Sequence, residues 1–285
     1  MSGLKQFEES DRVEIIEAGA LESMTRAEAQ MQVATAKRYP RSVQKFIDEA
    51  TTMACLDAET AASMYYAKPQ DKTIIEGPSI RLAEIAAAAW GNISASRMII
   101  STTHESVTAL GYVWDMQTNS RSHLQITRSI LKRNGQRFSD SMIATTQNAA
   151  MAIAYRNAIF SVIPRAYVEP IWHKAKKVAM GDEKTMVSRR DGAMSFFSKR
   201  GVAADRILNF SGKPSVDDMT LDDIGTLIGV VNAVKTGDTT IDDLMPVQPI
   251  DQADGVKKFG FQKTKAIAEK TDDQKQELDP PVEKI

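Results

Sequence analysis

The residues with the clearest chemical potential are basic side chains at the end of a predicted strand. The stretch LKRNGQRF places Lys132, Arg133 and Arg137 around an Asn-Gly pair, and Arg128 lies just before it. Lysine and arginine bind phosphate oxygens through charge-assisted hydrogen bonds, and a turn brings such side chains together. The cluster therefore predicts a site for a polyanion, and these four residues are the first candidates for phosphate contact.

Six further basic candidates lie on predicted helices. In chain order they are Arg81, Arg156, Arg165, Lys174, Lys176 and Lys177. Arg81 lies near the start of an alanine-rich helix, where it either pairs with Glu84 three residues on or reaches a phosphate at the helix N-terminus. For every candidate the alternative is a solvated charge or a local salt bridge.

The distribution of charge favours an anionic partner. The formal net charge is only -1, but residues 121–200 carry 15 basic and 5 acidic side chains, whereas residues 211–285 carry 9 basic and 15 acidic ones. A basic excess over several elements favours nucleic acid over a merely solvated face. Aromatic residues make up 6% of the chain, so we expect phosphate contacts to dominate over base stacking.

The sequence carries no catalytic signature. It has neither a G-x-x-x-x-G-K-[ST] phosphate loop nor GxGxxG or HExxH. The single Cys55 excludes an internal disulfide and a cysteine-rich metal site. The acidic pairs Asp217-Asp218 and Asp222-Asp223 could hold a divalent cation, but charge at a helix start is the simpler interpretation. We predict a protein that is not an enzyme and uses no cofactor, with magnesium left open.

Helical signals dominate the N-terminal third. Pro40 stops one helix, two more are predicted over 41–52 and 57–66, and a turn follows at Pro69–Asp71. Pro78 suits the first position of the alanine-rich helix that follows, because its missing N–H would be unpaired there.

The hydrophobic period then changes from helical to alternating. It predicts three antiparallel strands, over 93–102, 107–116 and 122–131. A long helix is predicted over 140–163, with Met142, Thr146 and Ala149 on one face. Further basic helix follows, and an acidic helical hairpin with Gly237 as a C-terminal cap comes after residue 210.

These elements predict an α+β fold. A small antiparallel sheet of about three strands is flanked by helices and followed by a long helix, with a helical C-terminal appendage. The predicted regions are an N-terminal helical arm (1–40), a core with the binding groove (41–210), an acidic helical hairpin (211–246) and a flexible tail (247–285). The chain lacks a signal-peptide pattern and an apolar run of membrane-spanning length, so we predict a cytoplasmic protein without a membrane partner.

Five stretches carry a resemblance to a known family. They are KRYPRS (37–42), EGPSIRLAEIAAAAWGNI (76–93), WDMQTN (114–119), YRNAIFSVIP (155–164) and VKTGDTTIDDLMP (234–246). Together they resemble phage-encoded single-strand DNA annealing proteins of the superfamily of Red-beta and RecT, over about residues 25–246.

The resemblance implies an assembly and an activity. It implies rings or helical filaments of identical subunits that hold a stretched strand in a basic groove, bases outward, so that a complementary strand can pair without ATP. The implied partners are single-stranded DNA, the annealed duplex, and a nuclease or single-strand binding protein recruited through the acidic C-terminal region, in the host cytoplasm.

Two other functions fit the residues. The first is a single-strand DNA binder that protects DNA without pairing it. The second is an oligomeric assembly protein without DNA activity, whose basic middle docks on the acidic end of a neighbouring copy.

Overall fold

A computed structural model describes residue 23 and residues 25–70, 73–132 and 134–245. Arg133, the chain up to residue 22 and the predicted tail 247–285 lie outside the described residues. The helices are α1 (25–38), α2 (Val43–Ala54), α3 (Ala58–Ser63), α4 (Ile80–Trp90), α5 (Asp140–Val162), α6 (Arg165–Met180), α7 (Met186–Ser198), α8 (Ala204–Ser211), α9 (Leu221–Lys235) and α10 (Ile241–Leu244). The strands are β1 (Tyr65–Gln70), β2 (Thr73–Pro78), β3 (Ile93–Thr102), β4 (Ser106–Asp115) and β5 (Ser120–Ser129).

The strands form two separate antiparallel sheets. β3, β4 and β5 make a meander in chain order, and β1 pairs with β2 in a two-stranded sheet. Helices flank both sheets, and the long helix α5 packs on one face of the meander. The predicted α+β class, the three-stranded sheet and the long helix are confirmed. The two-stranded sheet was not predicted.

The first sheet overturns two predictions for the N-terminal third. The helix predicted to reach residue 66 ends at Ser63, because Tyr65 already pairs with Pro78 across the β1–β2 ladder. The predicted turn at Pro69 is also wrong, since β1 continues through Pro69, opposite Ile74. A sheet of two strands consists only of edges, where a proline removes no obligatory hydrogen bond.

The start of α4 differs from the prediction by two residues. Pro78 is the last residue of β2, and Ser79 is the N-cap. The Ser79 hydroxyl oxygen accepts from the backbone N–H of Arg81 at 3.1 Å and donates to the carbonyl oxygen of Ser63 at 2.6 Å. A serine at the N-cap accepts hydrogen bonds from N–H groups of the first helical turn, whereas a proline at the first helical position only lacks an N–H of its own. The predicted pairing of Arg81 with Glu84 is confirmed, at 2.9 Å.

We expect Ser79→Ala to lower the free energy of unfolding by about 1–2 kcal/mol, because Ser79 is fully buried and both its cap and its bond to Ser63 are lost. Urea denaturation followed by circular dichroism measures this. Ser42→Ala is the matched control, since Ser42 caps α2 from an exposed position with one longer bond, 3.3 Å to the N–H of Lys45. Equal losses in the two variants would contradict the buried role of Ser79.

The meander and α5 meet through small residues. Val107, Ala109 and Val113 of β4 are buried and alternate with partly buried neighbours. At Gly111, an added Cβ would lie 2.2 Å from the carbonyl oxygen of Ala154, so strand and helix backbones are almost in contact.

The packing face of α5 is made largely of alanine. Ala150, Ala154 and Ala158 are fully buried. The predicted face is wrong at its first member, because Met142 is exposed. Alanine is only weakly hydrophobic, so it contributes little to the hydrophobic periodicity of a helix. The periodicity of α5 therefore indicated a face that includes the larger Met142.

Three of the stretches that carry the family resemblance meet in one buried network. Arg41 lies 4.4 Å over the Trp90 ring and donates from Nη1 to the Asp115 carboxylate at 2.6 Å. Trp90 donates to the same carboxylate at 3.2 Å. Gln117 Oε1 accepts from the backbone N–H of Arg41 and from the side-chain amide of Asn92. The motifs thus join the start of α2, the end of α4 and the β4–β5 turn.

The C-terminal hairpin packs into the body of the protein. The side-chain amide of Asn232 in α9 donates to the carbonyl oxygen of Tyr65 at 3.0 Å, and the Tyr65 hydroxyl donates to the carbonyl oxygen of Gly225 at 2.8 Å. Burial first, and then the Glu76 carboxylate, raise the pKa of Tyr65, so this hydroxyl keeps its proton. The predicted boundary after residue 210 stays a prediction. Among the described helices, none has both the length and the apolar character needed to cross a membrane.

Candidate nucleic-acid interface

Three of the ten predicted contact residues are engaged inside the protein. Arg128 donates to the carbonyl oxygen of Gly237 at 3.0 Å. Arg156 is 8% exposed and pairs with the Asp238 carboxylate at 3.2 Å. Their two acceptors follow α9, so both arginines tie the C-terminal hairpin to β5 and α5. Arg156 is held in a nearly buried ion pair, and Arg128 Nη1 is engaged by the hairpin backbone, while contact of either residue with phosphate stays a prediction.

Lys176 is the third engaged candidate. Its ammonium group donates to the Glu76 carboxylate at 2.7 Å and lies 5.8 Å from the centre of the Tyr65 ring. The pair links α6 to β2. The Lys176 side chain is 19% exposed, and removal of its partner would leave a largely buried charge unpaired, so this ammonium group is engaged within the fold. Its contact with phosphate stays a prediction.

The predicted basic turn after β5 is present and exposed. Leu131 and Arg137 form an isolated bridge, the N–H of Lys132 donates to the carbonyl oxygen of Gln136 at 2.7 Å, and Gly135 has a positive φ of 80°. Lys132 and Arg137 are both exposed and have no ion pair within the described part of the chain. Arg133, the third predicted member, lies outside the described residues.

The remaining candidates on α6 do not converge with this turn. Arg165 is 82% exposed and pairs with Glu169 at 3.4 Å within its own helix. Lys174 and Lys177 are exposed without an ion pair among the described residues. Next to Lys174, His173 stacks on Trp172 at 3.9 Å between ring centres. The structure leaves these lysines as solvated charges on the outer side of the helix.

A cleft of about 870 Å³ brings several cations together on one surface. Its walls come from α3, the start of α4, α7 and the second half of α9. Five basic side chains line it, and this set is called the basic cleft: Arg81, Arg189, Lys199, Arg200 and Lys235. Glu59 is the single carboxylate among its described lining residues. Of the ten predicted residues, Arg81 alone lies here.

The cations of the basic cleft are largely uncompensated. Arg81 pairs with Glu84, but its side chain is 62% exposed and that ion pair is weak. Within the described residues, no carboxylate lies within ion-pair distance of Arg189, Lys199 or Lys235. Unpaired cations that share one concave surface focus a positive potential on it. The cleft is therefore suited to an anionic ligand with several charges.

Helix α7 and its ends supply the largest share of the cleft lining, and their spacing explains why. Arg189, Gly192, Phe196 and Lys199 follow one another at intervals of three and four along α7 and its C-terminal end, so they share a face, while Phe197 on another face is buried. A Cβ added at Gly192 would meet nothing within 4 Å, so the cleft is open at this point.

The described residues offer no site for a metal. No group of three or more His, Cys, Asp or Glu side chains lies close enough together there to hold an ion. Asp223 accepts from Thr220 in a capping box at the start of α9, and Asp217 accepts from Arg190 at 2.7 Å. Asp223 therefore has the helix-start role that the simpler interpretation expected, whereas Asp217 pairs with Arg190 of α7 instead. Partial burial raises the pKa of Cys55, as expected for an unreactive thiol.

The cleft is the feature on which any assignment rests. No family model, curated protein or solved structure matches this chain.

The sequence contains a signal for the cleft. The predicted basic helix includes Arg189 and Arg200, which are not among the ten candidates. The spacing of Arg189, Gly192, Phe196 and Lys199 would have placed them on one face. Lys235 gave no such signal, since it comes from a region whose overall charge is acidic.

Proposed function

We propose that this protein binds single-stranded DNA and anneals complementary strands without ATP. The observation that supports this most directly is the basic cleft, where five cations face one carboxylate on an open concave surface. A ligand with phosphates at regular intervals satisfies such a set better than a single small anion does.

Annealing needs contacts that hold a strand without reading its sequence. Lysine and arginine contacts to phosphate do this, because they fix the position of the backbone and leave base edges free. Binding releases counterions, so affinity falls steeply with salt. For five neutralised phosphates, the logarithm of the binding constant falls by about 3.5 per tenfold rise in salt.

A second basic set lies on the neighbouring element. Arg128 connects β5 to Gly237, which follows the cleft residue Lys235 by two positions. The exposed Lys132 and Arg137 extend from the end of the same strand. We assign Lys132 and Arg137 to the path of the DNA strand beyond the cleft. The resemblance to annealing proteins is additional support. The working form in this proposal is a homo-oligomer, ring or filament.

The decisive experiment is a fluorescence annealing assay with two complementary oligonucleotides and no added nucleotide. We expect acceleration at stoichiometric protein, with loss of acceleration as salt rises. Binding without acceleration would favour the protective binder. No binding at moderate salt, with oligomers still formed, would favour the assembly protein.

Gly192 allows the cleft to be tested without removing any existing contact. Gly192→Glu places a carboxylate among the cations, in open space and at a helical position that tolerates it. We expect it to weaken strand binding and annealing about 10-fold or more, by like-charge repulsion of phosphate.

Gly192→Gln is the matched control, because it has the same shape without the charge. The ratio between the two variants isolates the electrostatic effect, and fluorescence anisotropy with a labelled oligonucleotide measures it. Equal affinities for the Glu and Gln variants would place the DNA elsewhere on the protein.

A further inference from the structure

One aromatic side chain lies among the cations of the basic cleft. Phe196 lines the cleft from α7, half-buried, and the ring of Phe197 packs edge-on against it at 5.3 Å between centres. Phe197 is fully buried, so it supports the Phe196 ring from behind. A surface that bound phosphate alone would not require an aromatic ring at this position.

The Arg200 guanidinium lies over that ring, at a distance that favours a parallel arrangement. Its central carbon is 3.7 Å from the centre of Phe196, the contact distance of two planar groups face to face. An edge-on guanidinium would hold its central carbon farther away. Arg200 Nη1 also donates to the backbone carbonyl oxygen of Phe196 at 3.1 Å, which fixes the orientation of the plane.

The outer side of this plane is open. Arg200 is exposed, and no carboxylate in the described part of the chain lies within ion-pair distance of it. The plane is held by two contacts to Phe196, so little side-chain freedom remains to be lost when a ligand stacks on it. Flat aromatic ligands stack on arginine planes, and nucleobases do so in single-stranded complexes.

We propose that the basic cleft holds a nucleobase stacked on Arg200, which itself stacks on Phe196. This inference rests on the proposed function and deepens it: the cleft binds a base as well as phosphates. Arg189, Lys199 and Lys235 hold the flanking phosphates. Stacking engages the face of this base and leaves its pairing edge free, so each cleft fixes the position of the strand at one stacked base.

The test compares two ligands with identical phosphates. One is an oligonucleotide of mixed sequence, and the other is an abasic chain of the same length. Affinities of the full chain are measured by fluorescence anisotropy at one salt concentration. We expect the wild type to bind the abasic chain about 10-fold more weakly, the effect of losing one stacked base.

Arg200→Lys removes the planar guanidinium group and keeps the positive charge. We expect it to weaken binding of the normal oligonucleotide about 5- to 10-fold and to leave binding of the abasic chain within twofold. Lys199→Ala is the matched control for charge alone and should weaken both ligands by the same factor. Circular dichroism verifies that each variant is folded.

The outcomes separate the two proposals. Equal wild-type affinity for both ligands would overturn the stacking and leave DNA binding standing. An Arg200→Lys variant that weakens both ligands equally would overturn it as well. Binding of neither ligand would overturn the proposed function, and the stacked base with it.

Discussion

Replacement of Asp115 by alanine will lower the free energy of unfolding by about 3–5 kcal/mol. Its carboxylate is 1% exposed and accepts hydrogen bonds from Arg41, from Trp90 Nε1 and from the backbone N–H of Gln117. Removing it leaves the Arg41 guanidinium, whose side chain is 7% exposed, buried over Trp90 without a counter-charge. Urea denaturation followed by circular dichroism measures the loss.

The control for this prediction is an exposed ion pair. Glu169→Ala removes the partner of Arg165, a side chain that is 82% exposed, and should cost less than about 1 kcal/mol. If Asp115→Ala lowered the free energy of unfolding no more than Glu169→Ala does, the Asp115 network would contribute no more than an exposed ion pair. It would then not be what holds the three motifs together.

Gly111→Ala is expected to cost about 3 kcal/mol or more. The added Cβ would lie 2.2 Å from the carbonyl oxygen and 2.4 Å from the carbonyl carbon of Ala154. These are backbone atoms of a long helix, so no side chain can turn aside, and α5 must move away from the sheet. The midpoint of urea denaturation should fall accordingly.

Gly192→Ala provides the matched substitution in open space. It meets nothing within 4 Å and replaces glycine in a helix, so we expect no loss, or a gain of up to about 1 kcal/mol. A similar loss at both positions would show that α5 does not approach β4 closely. A loss confined to Gly111 would establish that approach.

Large apolar residues at regular spacing made much of the fold predictable. The stripe of Val168, Ile171 and Trp172 on α6 is buried as its spacing suggests. The alternation in β4 and β5 also identified both segments as strands, and burial alternates along each of them. In these segments burial follows from local periodicity, because one face of each element meets the core.

Features that depend on distant partners were not predictable. Nothing local distinguishes Arg128 or Arg156, which are engaged with Gly237 and Asp238, from the free Lys132. Their partners lie far along the chain. The basic cleft also depends on residues that are distant in the sequence, since its walls come from four helices. Only the set of cleft residues on α7 can be recognised from the spacing within one segment.

The packing of α9 against β1 has a consequence for synthesis on the ribosome. Asn232 reaches back to Tyr65 across 167 positions, and Lys235 completes the basic cleft. A nascent chain can form the meander and α5 long before α9 emerges, but its β1–β2 sheet then lacks this support. The cleft is therefore assembled last, and an incomplete chain that ends before α9 lacks one of its walls.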